Sequence, residues 1–291
     1  MFPLLLYPLL SAMPMGVLVV IVKVWHWLQE TKGLKTPVKE KLLRGPGEST
    51  RKKKEELDDK ITDAFIYILG LPLTFVTCYL TATRFVQTLP AGFWTILFVV
   101  ALGIYGVLVV RVLDLLEKRQ NWRRGLSGEK AVGEELNRLM ADGCHVFHDF
   151  PLDQKGNIDH IVVAPSGVYA VETKTRSKGE ASKTQKAHEV IYDGKRLQFP
   201  ERQDKEDLIQ ARNQAKSLSV FLGREVGTAV AVKPVLTLPG WSVTTKAPGE
   251  VAVLNHKQIR AAIITESPVL SEQEMKQIVQ QLDQKCRDVE F

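Results

Sequence analysis

Charged residues are missing from three long stretches of this 291-residue chain: positions 2–22, 64–82 and 91–110 hold none. An uncharged apolar run of about 20 residues is long enough to cross a bilayer, which counts against a wholly water-soluble protein. Cysteine is scarce too. Cys78, Cys144 and Cys286 lie far apart and form no Cys-x-x-Cys pair, which argues against a disulfide framework or a thiolate zinc site and fits a reducing compartment. The sequence has no internal repeat, no low-complexity tract and no helix-turn-helix, RNP or zinc-finger signature, so base-specific reading of nucleic acid has no visible support. Acidic residues are in modest deficit, 33 against 39 Lys and Arg, a net charge of +6. That balance suits a polyanion or an anionic membrane surface, and equally the basic flanks of membrane spans.

What is present divides into two unlike halves. Residues 1–113 form a membrane region with expected helices over 2–22, 64–82 and 91–110. Pro3, Pro8 and Pro14 would kink or shorten the first, leaving an interfacial or re-entrant segment as the alternative. Its opening, Met-Phe-Pro-Leu, lacks the basic start of a cleaved leader and points to an uncleaved helix. The polar stretch 23–60 carries eleven Lys and Arg, including the run Arg51–Lys54, whereas the loop before Pro90 carries one, Arg84. Arg111, Lys118, Arg119, Arg123 and Arg124 follow the last apolar run. The positive-inside rule then places the 84–90 loop outside and both flanks in the cytoplasm. The expectation is a multi-pass protein of the inner (cytoplasmic) membrane, with 23–60 a cytoplasmic linker and 114–124 a juxtamembrane linker.

From Ser127 the pattern turns amphipathic. A helix opens there, with Ala131, Val132, Leu136, Leu139 and Met140 at helical spacing. CHVFHDF (144–150) alternates as a strand. Two apolar runs, Ile161–Ala164 and Val168–Val171, flank Pro-Ser-Gly as a β-hairpin, with Asp159 before the first strand and Glu172-Thr173-Lys174 closing the second. A second hairpin follows at 189–199, turning at Asp193-Gly194. Next come a helix over 204–222, a strand over 229–238 whose Pro234 suggests an edge, a strand at 250–254, and helices near 256–265 and 271–286. This order makes an α/β layered domain.

Strand side chains alternate faces, so Glu172 and Lys174 share one. Two carboxylates and an ammonium on one sheet edge can hold a divalent cation and activate a water beside it. Mg²⁺ keeps several waters and takes one or two carboxylates, so Asp159 and Glu172 suffice as direct ligands. Glu-x-Lys is a common tripeptide; an Asp thirteen residues earlier, across the hairpin, gives it weight. His148 and His160 lie nearby and read as packed or hydrogen-bonded residues, with a ligand or general base as the alternative. The following loop carries Arg176, Lys178, Lys183 and Lys186 against one acid, Glu180. With Lys174 these could touch phosphates in a sequence-independent, salt-sensitive way, or simply be solvated.

The run GNIDHIVVAPSGVYAVETK (156–174) resembles the nuclease-related domain (NERD) family, and its Asp…Glu-x-Lys pattern resembles the PD-(D/E)xK core of the restriction-endonuclease-like superfamily. The resemblance covers 125–240. It departs at Ile158, which stands where that pattern has proline. It implies an α/β fold with a restriction-endonuclease-like mixed sheet flanked by helices, here preceded by a transmembrane helical region, with 241–291 packing on or after the core. It further implies hydrolysis of phosphodiester bonds with Mg²⁺ or Mn²⁺, of DNA in preference to RNA, and the Thr173 carbonyl as a further metal ligand. The family's Gly-Glu helix matches Gly128-Glu129, with Gly133-Glu134 competing, and its helical Gln matches Gln210, with Gln214 one turn on.

The reading is a membrane-anchored, divalent-metal-dependent nuclease with Asp159, Glu172, Lys174, Glu129 and Gln210 in its site. Two others stay open. One is a nucleic-acid-binding module without turnover. The other is a membrane scaffold whose apolar hairpin forms a homo-oligomer in the lipid bilayer.

Overall fold

The computed structural model describes residues 40–85, 90–152, 156–177 and 186–289, with Val24 and Leu28; the apolar run 2–22 lies outside the described residues. Two compact units divide the chain: 1–38 with 54–121, and 39–53 with 122–291. In chain order the elements are β1 (Leu42–Leu43), α1 (Glu48–Phe85), α2 (Ala91–Asn137), a 3-10 turn (Arg138–Asp142), β2 (His145–Leu152), β3 (Gly156–Ala164), β4 (Gly167–Thr173), β5 (Glu189–Tyr192), β6 (Leu197–Gln198), β7 (Gln203–Asp204), α3 (Glu206–Val226), β8 (Val232–Thr237), β9 (Ser242–Thr245), β10 (Ala252–Leu254), α4 (Ile259–Ile264), α5 (Glu272–Cys286) and β11 (Arg287–Val289).

In the first unit, α1 and α2 each contain a stretch long and apolar enough to cross a membrane. Leu69, Ile96 and Val107 are among many exposed apolar side chains there, a surface that water disfavours. Phe75 packs on Phe98 and Tyr79 on Trp94, with ring centroids 5.6 and 5.3 Å apart, and Asp58 pairs with Arg119 and, at 2.7 Å, with Lys54. Two sequence expectations differ from the structure here. The polar stretch 48–60 belongs to α1 rather than to a linker, and the helix expected to open at Ser127 is the end of α2. The reason is local: Arg51–Lys60 are mostly good helix formers with oppositely charged partners one turn apart. Between Pro90 and Pro151 no proline interrupts the chain.

The second unit is built on a five-stranded mixed sheet in the order β10-β8-β4-β3-β2. β2, β3 and β4 run antiparallel, in registers that include His148↔His160 and His160↔Val171, while β4, β8 and β10 are parallel. Every residue of β4 is buried, as expected for a strand covered on both faces. On one face Ile161, Val163, Val168 and Ala170 pack against Ala215, Leu218 and Leu222 of α3 and Ile278 and Leu282 of α5. On the other, Val162, Ala164, Tyr169 and Val171 pack against Val132 and Leu136 of α2, Leu139 of the 3-10 turn, and Ile259 and Ile263 of α4. Fully burying each such aliphatic side chain contributes roughly 1.5–3 kcal/mol. The strand containing Pro234 is interior, not an edge, because β10 covers its far side. Pro234 is tolerated because β10 begins to pair only at Val235. A smaller sheet, β7-β6-β5-β9, holds the Asp193-Gly194 hairpin.

Residues 39–53 belong to this unit as well. β1 pairs antiparallel with β11, and Arg44 donates to Asp149 Oδ2 at 2.9 Å and to Asp288 at 2.6 and 2.7 Å. Asp149 is fully buried and sits in the left-handed region at φ 52°, a costly conformation away from glycine that persists where its surroundings fix it. Ser49 supplies an N–H at 3.1 Å and a hydroxyl at 2.7 Å, and Asn157 an amide at 2.7 Å. Burial still raises the Asp149 pKa, with Ser49 and Arg44 opposing it. Removing one partner of a buried ion pair leaves the other charge uncompensated. Arg44→Met is therefore expected to destabilise the unit by about 3 kcal/mol. A neutral-pH melt within a degree of the unsubstituted chain would show that the pair carries no stability.

Candidate active site

Asp159 on β3 and Glu172 on β4 follow the alternation that buries Ile161, Val163, Val168 and Ala170, so both carboxylates face α3. Asp159 Oδ2 accepts the Thr173 backbone N–H at 2.7 Å. Glu172 is held on every side: Lys174 Nζ lies 2.6 Å from Oε1, Gln210 donates to Oε1 at 2.7 Å and Gln214 to Oε2 at 2.6 Å. The second amide is the more embedded. Gln214 is buried and also donates to the Asn157 carbonyl at 3.0 Å, whereas Gln210 is exposed. Both glutamines thus meet the same carboxylate, one turn of α3 apart. Lys174 is fixed through its backbone, whose N–H donates to Thr237 O at 3.0 Å.

Glu129 enters from α2. It is buried, while Glu134 of the competing Gly-Glu pair is exposed. Thr50 donates to its Oε1 at 2.9 Å, and its Oε2 is buried without a partner. Glycines permit the approach. At Gly128 a Cβ would overlap the Thr175 hydroxyl, just after Lys174, and at Gly47, where φ is 74°, it would lie 3.1 Å from Glu129 Oε2. Gly128→Ala must therefore displace the Thr175 side chain or push α2 away from the end of β4. The expected cost is about 1–3 kcal/mol of stability, with a loss of any activity at least about as large as the 10²-fold that a 1 Å misplacement costs. Unchanged melting and activity would show that the contact is slack.

The electrostatics are those of crowded carboxylates in a nearly dry place. Burial pushes Glu129 up to about 7, with Asp149 and Glu172 adding to the rise and Thr50 opposing it. Burial, then Glu172 and Glu129, holds Asp159 well above the usual carboxylate range. Glu172 is raised by burial against the pull of Lys174. Burial alone would lower Lys174, but Glu172, with Asp207 and Asp159, outweighs it and raises the ammonium pKa. The pair His148–His160, Nδ1 to Nδ1 2.8 Å, sits on the opposite sheet face. Burial depresses His148 to about 4 and holds His160 well below its usual range, which favours the neutral form of both rings.

Among the described residues no group of three or more His, Cys, Asp or Glu converges as a ready metal cage. The donors are hard oxygens, two raised carboxylates from neighbouring strands and a third carboxylate with an unpartnered buried oxygen. Such a set fits Mg²⁺ or Mn²⁺, which need few protein ligands and keep water.

The expected phosphate-binding loop fares unevenly. Arg176 turns inward to Asp204, at 2.7 Å, and Asp207, and stacks near Phe199, so it braces α3 rather than presenting to solvent. Lys186 is exposed. Lys178 and Lys183 lie outside the described residues. Three participants were not legible beforehand: Thr50, Asp149 and the bridging Asn157, whose amide also approaches Asp159 Oδ1 at 3.5 Å. Asp149 left one signal, an acid inside an otherwise apolar strand.

With that geometry in place, comparison with known families shows that residues 124–239 fit the family model of the nuclease-related domain, NERD. No curated protein and no solved structure matches the chain.

Proposed function

We propose that this chain, which carries a nuclease-related domain over residues 124–239, is a divalent-metal-dependent nuclease. It would hydrolyse phosphodiester bonds of DNA in preference to RNA, with little base specificity. The observation that carries the reading is the joining of Asp159, Glu172 and Lys174 on one sheet face, the last two 2.6 Å apart, inside the matched domain.

Asp159, Glu172 and the Thr173 carbonyl are the residues that would hold Mg²⁺ or Mn²⁺, and the ion would supply charge neutralisation on the phosphate and a more acidic water. The Thr173 N–H fixes the rotamer of Asp159, and Gln210 and Gln214 fix that of Glu172. Lys174 is the charged donor at the mouth of the site, able to orient the attacking water and stabilise negative charge as it builds on the phosphoryl oxygens. Glu129, with a pKa near 7, can hold or release a proton at the pH where a general acid or base works best.

The same proposal anchors the domain to a bilayer through the apolar stretches of α1 and α2. The bias of Lys and Arg toward both flanks supports a cytoplasmic domain. The test is cleavage of circular, linear and single-stranded DNA by the full chain in detergent, with and without Mg²⁺. Metal-independent, salt-sensitive binding without cut product would overturn catalysis and leave a binding module.

A further inference from the structure

A groove of about 910 Å³ opens beside the Glu172 amides, within the same unit. Its floor is a stripe of α3, beginning at Gln210 and Gln214 and continuing through Ser217 and Phe221 to Arg224. That spacing of four, three, four and three residues keeps to one helical face. The stripe covers about 21 Å at 1.5 Å per residue, long enough to follow several nucleotides. Lys216, Arg224 and, from α5, Lys285 line the groove, against one acid, Glu206. Arg224 pairs with Glu225 beside it, an exposed pair at 2.8 Å, and lies 5.9 Å from the centre of the Phe221 ring; exposed pairs are worth little, so a phosphate can take the guanidinium. One wall is apolar: half-buried Leu152 from β2 and Phe221 of α3, with Phe150 buried behind Phe221 and Val220 exposed on α3.

We infer that this groove seats a single strand of nucleic acid, its phosphates on Lys216 and Arg224 and its bases against the apolar wall, leading the chain to Glu172. Continuity carries the inference, since Gln210 and Gln214 line the groove and hydrogen-bond the catalytic carboxylate. Cations along a backbone track beside apolar side chains are the usual means of gripping single strands without sequence preference. The inference rests on the nuclease reading, whose failure is separable in the following experiment.

The full chain in detergent is titrated, in EDTA so that nothing is cut, against a fluorescent single-stranded DNA oligonucleotide and its duplex. Lys216→Ala with Arg224→Ala is compared with Lys257→Ala with Arg260→Ala, a charge-matched change near α4 on the other side of the sheet. The groove pair is expected to weaken single-strand binding at least 10-fold. The slope of log affinity against log salt should fall by about 1.4, or 0.7 per phosphate no longer neutralised. The α4 pair should leave both unchanged. Equal losses for the two pairs, or a loss confined to the duplex, would overturn the groove while leaving the nuclease reading intact. Absence of binding by the unsubstituted chain would overturn the groove, while the nuclease reading stands or falls separately on Mg²⁺-dependent cleavage.

Discussion

Lys174→Ala in the full chain is expected to lower Mg²⁺-dependent cleavage by about 10²–10⁴-fold, the range for a positioned proton-transfer or charge-stabilising group, in a chain that stays folded but melts lower because buried Glu172 loses its ion-pair partner. The loss of activity should exceed what that loss of stability explains. The Lys174 side chain is 27% exposed, so truncation opens no sealed cavity, and its structural bond to Thr237 is made by the backbone. Glu172 keeps both glutamine donors when the ammonium is gone, so its position survives while its charge becomes less favourable. Asp159→Ala should be as severe for a different reason, the loss of a carboxylate that the Thr173 N–H aims into the site. Plasmid cleavage undiminished by both substitutions would end the assignment of this site. These measurements belong in the full chain: a fragment starting at residue 120 would lack Thr50, which holds Glu129, and Arg44, which neutralises Asp149.

The second large effect is a stability difference that depends on pH. Glu129 has a folded-state pKa of about 7 against an ordinary 4.5, so the folded state binds its proton more tightly. A raised pKa contributes stability below 4.5 that is lost as pH climbs through about 7. The gap corresponds to about 3 kcal/mol. Asp159 and Glu172 are raised also and act in the same direction. His148 and His160 oppose them: their depressed pKa values make stability rise with pH up to about 6.5. The clean comparison therefore sets Glu129→Gln against the unsubstituted chain, where the histidines cancel. Without metal, the variant is expected to gain about 3 kcal/mol on the parent between pH 4 and pH 8, or at least about 6 °C in melting temperature. Mg²⁺ should narrow the gap at pH 8 by stabilising the parent in proportion to its binding. A gap that does not change with pH would show that Glu129 ionises normally, outside the crowded site.

The β3–β4 hairpin was legible in the sequence because its information is local. Alternating apolar residues, Pro-Ser-Gly and the parity of Glu172 and Lys174 fix which side chains share a face. Gln210, with Gln214 one turn on, came from the resemblance rather than from local pattern, and in the structure Gln214 is the more embedded of the two. The clamp around Asp149 was not legible, since Arg44, Ser49 and Asn157 reach it across 105, 100 and 8 positions. Gly-Pro-Gly at 45–47 reads as a linker, yet it is a packing surface: a Cβ at Gly133 would meet Pro46 at 2.6 Å. Composition marked 48–60 as polar, and a polar helix looks like a polar linker until its partners are known.

The pairing of β1 with β11 also bears on how the unit folds. Leu42–Leu43 meet Arg287–Val289 across most of the domain, and Arg44 and Asp288 are separated by 244 positions, with both apolar helices between them. Contacts so distant in sequence are slow to form, because the loop between them must close first. The sheet of β2, β3 and β4 needs only short connections. Thr50 follows β1 closely and holds Glu129, so the carboxylates are enclosed by the slowest pairing in the unit rather than by the hairpin that presents them.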